Sequence, residues 1–107
     1  KNKVDLLLNQ INNGNHSNIN NNYLDQNYPN PFESTTSIAY NIVSFKKQAN
    51  LIVTDALGKE VYNHSIQSTG KGLLTIDISK MQVSGNYIYS LIIDGIIIDS
   101  KKMTLVR

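Results

Sequence analysis

The 107-residue chain contains no cysteine, so disulfides, thiolate zinc sites and cysteine nucleophiles are all excluded. Charged residues make up only 17% of the chain, against about a quarter in an average soluble domain, and the net charge is +2. The basic residues form isolated pairs and no stripe, so the composition indicates no nucleic-acid partner. No apolar run approaches the roughly 20 residues that a membrane-spanning helix needs.

Residue constellations typical of catalysis are also missing. The chain has two histidines, and neither His16 nor His64 lies in a motif with metal-ligand spacing. The eight acidic residues are scattered, and no serine stands in a nucleophile elbow. We therefore expect no enzyme activity, no metal and no bound cofactor.

The first 22 residues differ in character from the rest. Val4, Leu7, Leu8 and Ile11 have the spacing of one helix face and predict a short helix, which could support self-association. The segment 12–22 is rich in asparagine and is interpreted as a linker, because it buries too little apolar area to offset the entropy of ordering it. We predict a boundary after residue 22, a compact domain over 23–107, and a longer precursor as the origin of the chain.

Apolar alternation predicts strands throughout the compact domain. Six segments are interpreted as strands: 37–43, 49–54, 60–66, 73–78, 87–93 and 96–106, the last interrupted in its apolar pattern at Asp99-Ser100. Short strands with regular turns and no helical periodicity after Tyr23 predict a β-sandwich.

Turn residues support the same interpretation. Asp94-Gly95 between apolar runs predicts a two-residue type I′ hairpin, in which both central residues have positive φ. Asp55 and Gly58 occupy the first and fourth positions of a predicted type I turn. Gly85 precedes Tyr87 at the start of a strand, where many sandwich domains place a tyrosine whose hydroxyl reaches back to the loop backbone. This feature favours an immunoglobulin-like arrangement.

Composition does not explain the segment before the first strand. It contains the only two prolines, in the order Tyr28-Pro29-Asn30-Pro31-Phe32. Each proline fixes its own φ and favours extended geometry in the residue before it. The sequence therefore predicts a stiff segment with Tyr28 and Phe32 as two aromatic anchors.

Three stretches in this order are similar to one known family. LDQNYPNPFESTTSIAYNI resembles the opening of the C-terminal sorting domains of the bacterial type IX secretion system, type A. LIVTDALGKEVY resembles the family's apolar strand, glycine turn and following strand. SGNYIYSLIIDGIIIDSKKMTLVR resembles its closing strands.

The resemblance implies an antiparallel immunoglobulin-like sandwich of about seven strands at the end of an exported cargo protein. Such domains are found in Bacteroidota. They reach the periplasm with their cargo by a separate N-terminal signal and are recognised there by the outer-membrane translocon. A sortase-like peptidase often removes them, and the cargo is released or attached to the cell surface. Cleavage would fall in the Asn-rich linker.

Particular residues match the family motifs. The opening motif corresponds to Pro29, Asn30, Pro31 and Phe32; the structural turns and tyrosine correspond to Gly58, Gly85, Tyr87 and Gly95; translocon recognition is expected from Lys102, Met103, Leu105 and Arg107. The last strand is expected to act as a recognition edge with unpaired backbone groups.

Two other functions stay open at this point. An adhesive or glycan-binding module of a surface protein would expose an aromatic platform, for which Tyr62 and Tyr28 are candidates. An enzyme fragment would have a concave pocket with paired carboxylates.

Overall fold

The computed structural model describes residues 21–77, 79, 81 and 83–106. Within these ranges the chain is all β, with seven strands and no α-helix. The strands are β1 (Tyr23–Leu24), β2 (Thr35–Ile42), β3 (Ala49–Thr54), β4 (Glu60–Ile66), β5 (Gly70–Asp77), β6 (Gly85–Ile93) and β7 (Ile96–Leu105). The helix expected over 1–12 and most of the Asn-rich segment lie outside the described residues.

The strands form two antiparallel sheets. One has the order β1-β2-β5 and the other has the order β4-β3-β6-β7. The connections from β2 to β3, from β4 to β5 and from β5 to β6 therefore pass from one sheet to the other. The edges of the larger sheet are β4 and β7, so the last strand is an edge strand, as expected.

Alternating apolar residues place one face of each sheet in a common core. Eighteen buried hydrophobic residues form this single cluster: Leu24, Phe32, Ile38, Tyr40, Ile42, Ala49, Leu51, Val53, Ile66, Leu74, Ile76, Met81, Tyr87, Tyr89, Leu91, Ile93, Met103 and Leu105. Each fully buried large apolar side chain stabilises the fold by about 1.5–3 kcal/mol. The alternation in 37–43, 49–54 and 73–78 is confirmed over the described residues, since the alternating apolar side chains are buried: Ile38, Tyr40, Ile42, Leu51, Val53, Leu74 and Ile76.

Most predicted strand limits agree with the structure. The predicted bounds of β3 and β4 are confirmed. β5 begins at Gly70 and not at residue 73, because Gly70 and Lys71 pair with Ile42 and Asn41 of β2. β1 was not predicted, since two residues are too few to show an alternating pattern.

β7 is continuous where the apolar pattern is interrupted. Leu91 faces Asp99, but the next residue of β6, Ile92, faces Ile97. Ile98 is thus an additional residue in β7, and the strand accommodates it as a bulge. The bulge lies next to Asp99-Ser100, where the apolar pattern of the sequence is interrupted, but the strand does not end there.

The predicted hairpin between β6 and β7 is confirmed. Asp94 has a φ of 50° and Gly95 a φ of 83°, the positive values that the turn type requires. The Asp94 carboxylate also accepts hydrogen bonds from the backbone N–H groups of Lys46, Lys47 and Gln48, at 2.6–3.0 Å. These hydrogen bonds hold the pKa of Asp94 below its ordinary value and tie the β2–β3 connection to the hairpin.

Candidate functional site

The last strand presents two chemically different faces. Met103 and Leu105 are 0% and 1% exposed, so their side chains belong to the core. Lys102 alternates with them and is exposed on the outer face, beside Ile88 of the neighbouring strand. Arg107 lies outside the described residues. The Lys102 side chain is therefore accessible on the folded surface, whereas the buried side chains of Met103 and Leu105 hold the strand against the core.

The opening motif is split between surface and core. Pro29, Asn30 and Pro31 are exposed, and the peptide bonds preceding both prolines are cis. Phe32 is 1% exposed and is the anchor that the sequence predicted. The prediction for Tyr28 was wrong, since its side chain is 81% exposed. It is the backbone of Tyr28 that is fixed, through two hydrogen bonds of 2.9 Å with the backbone of Ser37.

The opening segment, residues 26–32, runs along the outer edge of the last strand. The Phe32 N–H donates to the carbonyl of Thr104 at 3.0 Å, and the Val106 N–H donates to the carbonyl of Phe32 at 2.9 Å. Phe32 and Leu105 form a parallel bridge. The two ends of the domain, which the sequence analysis treated as separate motifs, are thus one structural unit.

Two side chains of the opening segment contact the same strand. The Asn30 Oδ1 accepts a hydrogen bond from the Thr104 N–H at 2.9 Å, and the Gln26 Nε2 donates to the Lys102 carbonyl at 2.8 Å. The expectation of unpaired backbone groups at this end of the last strand was therefore wrong. The reason is that the opening segment occupies the edge, as natural proteins often cover exposed strand edges.

Hydrogen bonds within a buried polar cluster hold the opening segment in place. Asn27 is 2% exposed, and its amide nitrogen donates to the Thr36 hydroxyl at 2.8 Å and to the Pro29 carbonyl at 3.1 Å. The Thr36 hydroxyl donates to the same Pro29 carbonyl at 2.8 Å. Sequence reasoning missed this cluster, because nothing in an Asn-rich sequence separates a buried asparagine from an exposed one.

Tyr89 completes the cluster from the opposite sheet. Its hydroxyl donates to the Asp25 carbonyl and accepts from the Asn27 N–H, each at 2.7 Å. Burial raises the pKa of Tyr89 to about 12. The sequence placed Tyr89 in a strand and gave no sign of its partners.

The predicted turn residues lie at the ends of strands. The Tyr87 hydroxyl contacts the Val83 carbonyl and lies 3.4 Å from the Met81 carbonyl, so the predicted return to the loop backbone is confirmed. The Gly58 N–H donates to the Asp55 carbonyl at 3.0 Å, which closes the predicted turn. Gly85 and Gly95 both have positive φ. None of these residues contacts the opening segment through a described hydrogen bond.

Titratable groups in the described ranges do not converge on a ligand site. No three His, Cys, Asp or Glu residues of this part of the chain are placed to hold a metal ion. A concavity of about 360 Å³ beside Tyr87 includes a single carboxylate, Asp55. That carboxylate accepts hydrogen bonds from the N–H groups of Leu57 and Lys59. Among the described residues no helix is long and apolar enough to cross a membrane.

Comparison with known families decides the assignment. The family model for the secretion system C-terminal sorting domain matches residues 26–105, from the opening segment to the end of the last strand. The chain belongs to this family. The sorting domain is a C-terminal signal of type IX secretion, and it marks proteins for export across the outer membrane, to be secreted or attached to the surface. No curated protein matches the chain.

Membership has direct consequences for partners. A sorting domain interacts with the type IX secretion machinery and is attached to an upstream cargo. The family is not an enzyme family. The matched range starts and finishes at the two segments that meet at the edge of the larger sheet.

Proposed function

We propose that the outer-membrane type IX translocon recognises this sorting domain through the outer face of its last strand. Lys102 and Arg107 provide charge specificity, and Met103 and Leu105 fix which side chains point outward. The observation that carries the proposal is the state of Lys102, which is exposed and forms no ion pair with any described residue. The adjacent Lys101 is instead 3.5 Å from the Asp99 carboxylate.

We also propose that the two sheets form an immunoglobulin-like sandwich. Three features support this fold: three strands facing four across a common core, connections that cross between the sheets, and the contact of the Tyr87 hydroxyl with the preceding loop. The parallel bridge between Phe32 and Leu105 adds a chain crossing from the smaller sheet to the edge of the larger one.

Cleavage from the cargo by a sortase-like peptidase is proposed on the N-terminal side of Asn21. The Asn21 carbonyl accepts a hydrogen bond from Asn41, and the Asn22 side chain accepts one from the Val43 N–H, each at 2.7 Å. These contacts attach both asparagines to the domain, which supports a cleavage position before them. Self-association through residues 1–12 stays a prediction, since those residues lie outside the described ranges.

The glycan-binding alternative has weaker support. Tyr62 lies on β4 of the larger sheet, whereas Tyr28 pairs with Ser37 of β2 in the smaller sheet. Tyr62 is half-buried and stacks on His64 with a ring separation of 6.5 Å. These two tyrosines therefore do not combine into one aromatic platform, and the family match does not favour this function.

Export of a reporter tests the proposal. A fluorescent protein with an N-terminal signal for export to the periplasm, fused to residues 1–107, should reach the medium or cell surface in a host with a working translocon and stay in the periplasm without one. Deletion of residues 103–107 should abolish export. Because this deletion also removes the buried Met103 and Leu105, the domain's folding must be checked by circular dichroism. Export that persists without residues 103–107 would refute recognition through the last strand.

A further inference from the structure

The opening segment pairs with four outward-facing backbone groups at the C-terminal end of the last strand. Lys102, Thr104 and Val106 direct their edge groups away from β6, because alternate residues of an antiparallel strand face opposite neighbours. The four groups that the opening segment occupies are the Lys102 carbonyl, the N–H and carbonyl of Thr104, and the Val106 N–H. A partner strand cannot add to this half of β7 while the opening segment is in place.

Displacement of the opening segment would be costly. Phe32 is fully buried, and the Asn27 amide and backbone are held by hydrogen bonds to Thr36, Pro29 and Tyr89. Two exposed side chains of the segment, Gln26 and Asn30, instead contact the backbone of the last strand at Lys102 and Thr104. The result is a continuous surface to which both ends of the domain contribute.

We propose that the secretion machinery reads a surface formed jointly by the opening segment and the last strand, with Asn30 as a positioning residue for Thr104. This inference rests on the proposed recognition of the last strand. The partner is a protein surface that presents a carboxylate to Lys102 and apolar groups to Ile88 and Val106. Ile88 faces Lys102 across the β6–β7 pair and is 38% exposed, and Val106 is 44% exposed. The partner is not an added strand.

A joint surface makes recognition dependent on folding. Asn30 and Thr104 are 74 residues apart in sequence and meet only when the whole domain is assembled. An unfolded or truncated domain retains both motifs but cannot present them together. The signal therefore reports that the domain has folded before export.

The test combines reporter export with hydrogen exchange on the 107-residue chain. Asn30→Ala removes the acceptor for the Thr104 N–H, and Asn30→Asp retains it. Asn63→Ala is the matched control, because Asn63 is an exposed asparagine on β4 at the opposite edge. In Asn30→Ala we expect the Thr104 amide to exchange about tenfold faster and export to fall about fivefold. Asn30→Asp should restore both, and Asn63→Ala should change neither.

Each outcome has a defined meaning. Export of Asn30→Ala at the wild-type level, with the Thr104 amide exchanging faster, would overturn the joint surface but leave recognition of the last strand intact. Increased export would also overturn it, since a freed edge would then be accepting a partner strand. Continued export after deletion of residues 103–107 would instead refute the proposed function itself. Gln26→Ala provides a second variant should Asn30→Ala fail to fold, with the same expected loss of export.

Discussion

The hydroxyl of Tyr89 lies 2.7 Å from the backbone nitrogen of Asn27, 62 residues away in sequence, and joins the larger sheet to the opening segment. The same hydroxyl donates to the Asp25 carbonyl at 2.7 Å. Tyr89 is 0% exposed, and its hydrogen bond with the Asn27 N–H is buried. One phenol therefore satisfies a donor and an acceptor just before the family's opening motif.

Substitution of Tyr89 by Phe should lower the free energy of unfolding by about 1–3 kcal/mol, because a buried N–H and a part-buried carbonyl lose the hydroxyl as their partner. Urea unfolding of the 107-residue chain measures the change, and the Asn27 amide should exchange faster. Tyr87→Phe is the matched control: it removes a hydroxyl whose partners among the described residues are the Met81 and Val83 carbonyls, and it should leave Asn27 exchange unchanged. An unaltered urea midpoint in Tyr89→Phe would contradict the assigned role.

Alkaline pH should lower the stability of the fold through ionisation of the Tyr89 hydroxyl. The folded pKa of Tyr89 is raised from 10.0 to about 12, so the unfolded chain loses this proton at lower pH than the folded chain does. The free energy of unfolding should therefore fall as pH rises from 10 towards 12. Over that range the stability difference between wild type and Tyr89→Phe should shrink. Parallel stability curves for the two proteins would show that Tyr89 ionises normally in the fold.

Residue 72 must be glycine because the ring of Tyr40 occupies the space of a Cβ atom. The two residues face each other across the β2–β5 pair, and a Cβ on Gly72 would lie 2.6 Å from the Tyr40 Cε1 and nearer still to Cζ and Oη. Gly72→Ala should destabilise the domain by about 1–3 kcal/mol through overpacking. In a double-mutant cycle with Tyr40→Leu, the two losses should sum to more than the loss in the double variant. Strict additivity would mean that the ring moves aside freely.

Loss of the Asp94 charge should reduce stability in a pH-dependent way. The pKa of Asp94 is lowered from 3.8 by the N–H groups of Lys46, Lys47 and Gln48, so its stabilising contribution is present above pH 3.8 and is lost as pH falls through the folded pKa. Asn retains the turn geometry, so Asp94→Asn should be less stable than wild type at pH 7, with the gap closing in acid. Thermal unfolding at several pH values measures this.

The control for Asp94→Asn is Glu33→Gln, which neutralises an exposed carboxylate that forms no hydrogen bond with another described residue. Its thermal unfolding should follow wild type at each pH. A gap between wild type and Asp94→Asn that stays constant down to low pH would show that the carboxylate charge is not the source of the effect.

Alanine variants of Lys102 and Lys101 provide a matched comparison in the reporter-export assay. Lys102→Ala should reduce export of the fused reporter about fivefold, because it removes an exposed charge available to the partner. Lys101→Ala removes a side chain that already pairs with Asp99 and should have little effect. Thermal unfolding should be nearly unchanged in both, since neither side chain is in the core. Equal export by the two variants would remove Lys102 from the recognition surface.

Much of the fold was predictable because it depends on local patterns. Alternation in 49–54 and 60–66 predicted β3 and β4 with their observed bounds, and Asp94-Gly95 predicted the hairpin. These features follow from the two-residue period of a strand and from the φ values that a turn requires. β1 escaped prediction because its position depends on pairing with Tyr40 and Asn41 of β2.

The candidate site was predictable only in parts. Phe32 could be expected in the core and Lys102 at the surface from residue type and alternation. The exposure of Tyr28 could not, because a tyrosine that precedes a proline has no intrinsic preference for either environment. The burial of Asn27 also depends on a hydroxyl that comes from a distant strand.

By itself, the amino-acid sequence determined the strand-rich character, the turns, the alternating core and the family to which the chain belongs. Only the tertiary structure decided that Asn30 and Phe32 cover the edge of Thr104 and Val106. The physical reason is that strand period and turn conformation are properties of neighbouring residues. An edge contact between the two ends exists only after both sheets have packed on one core.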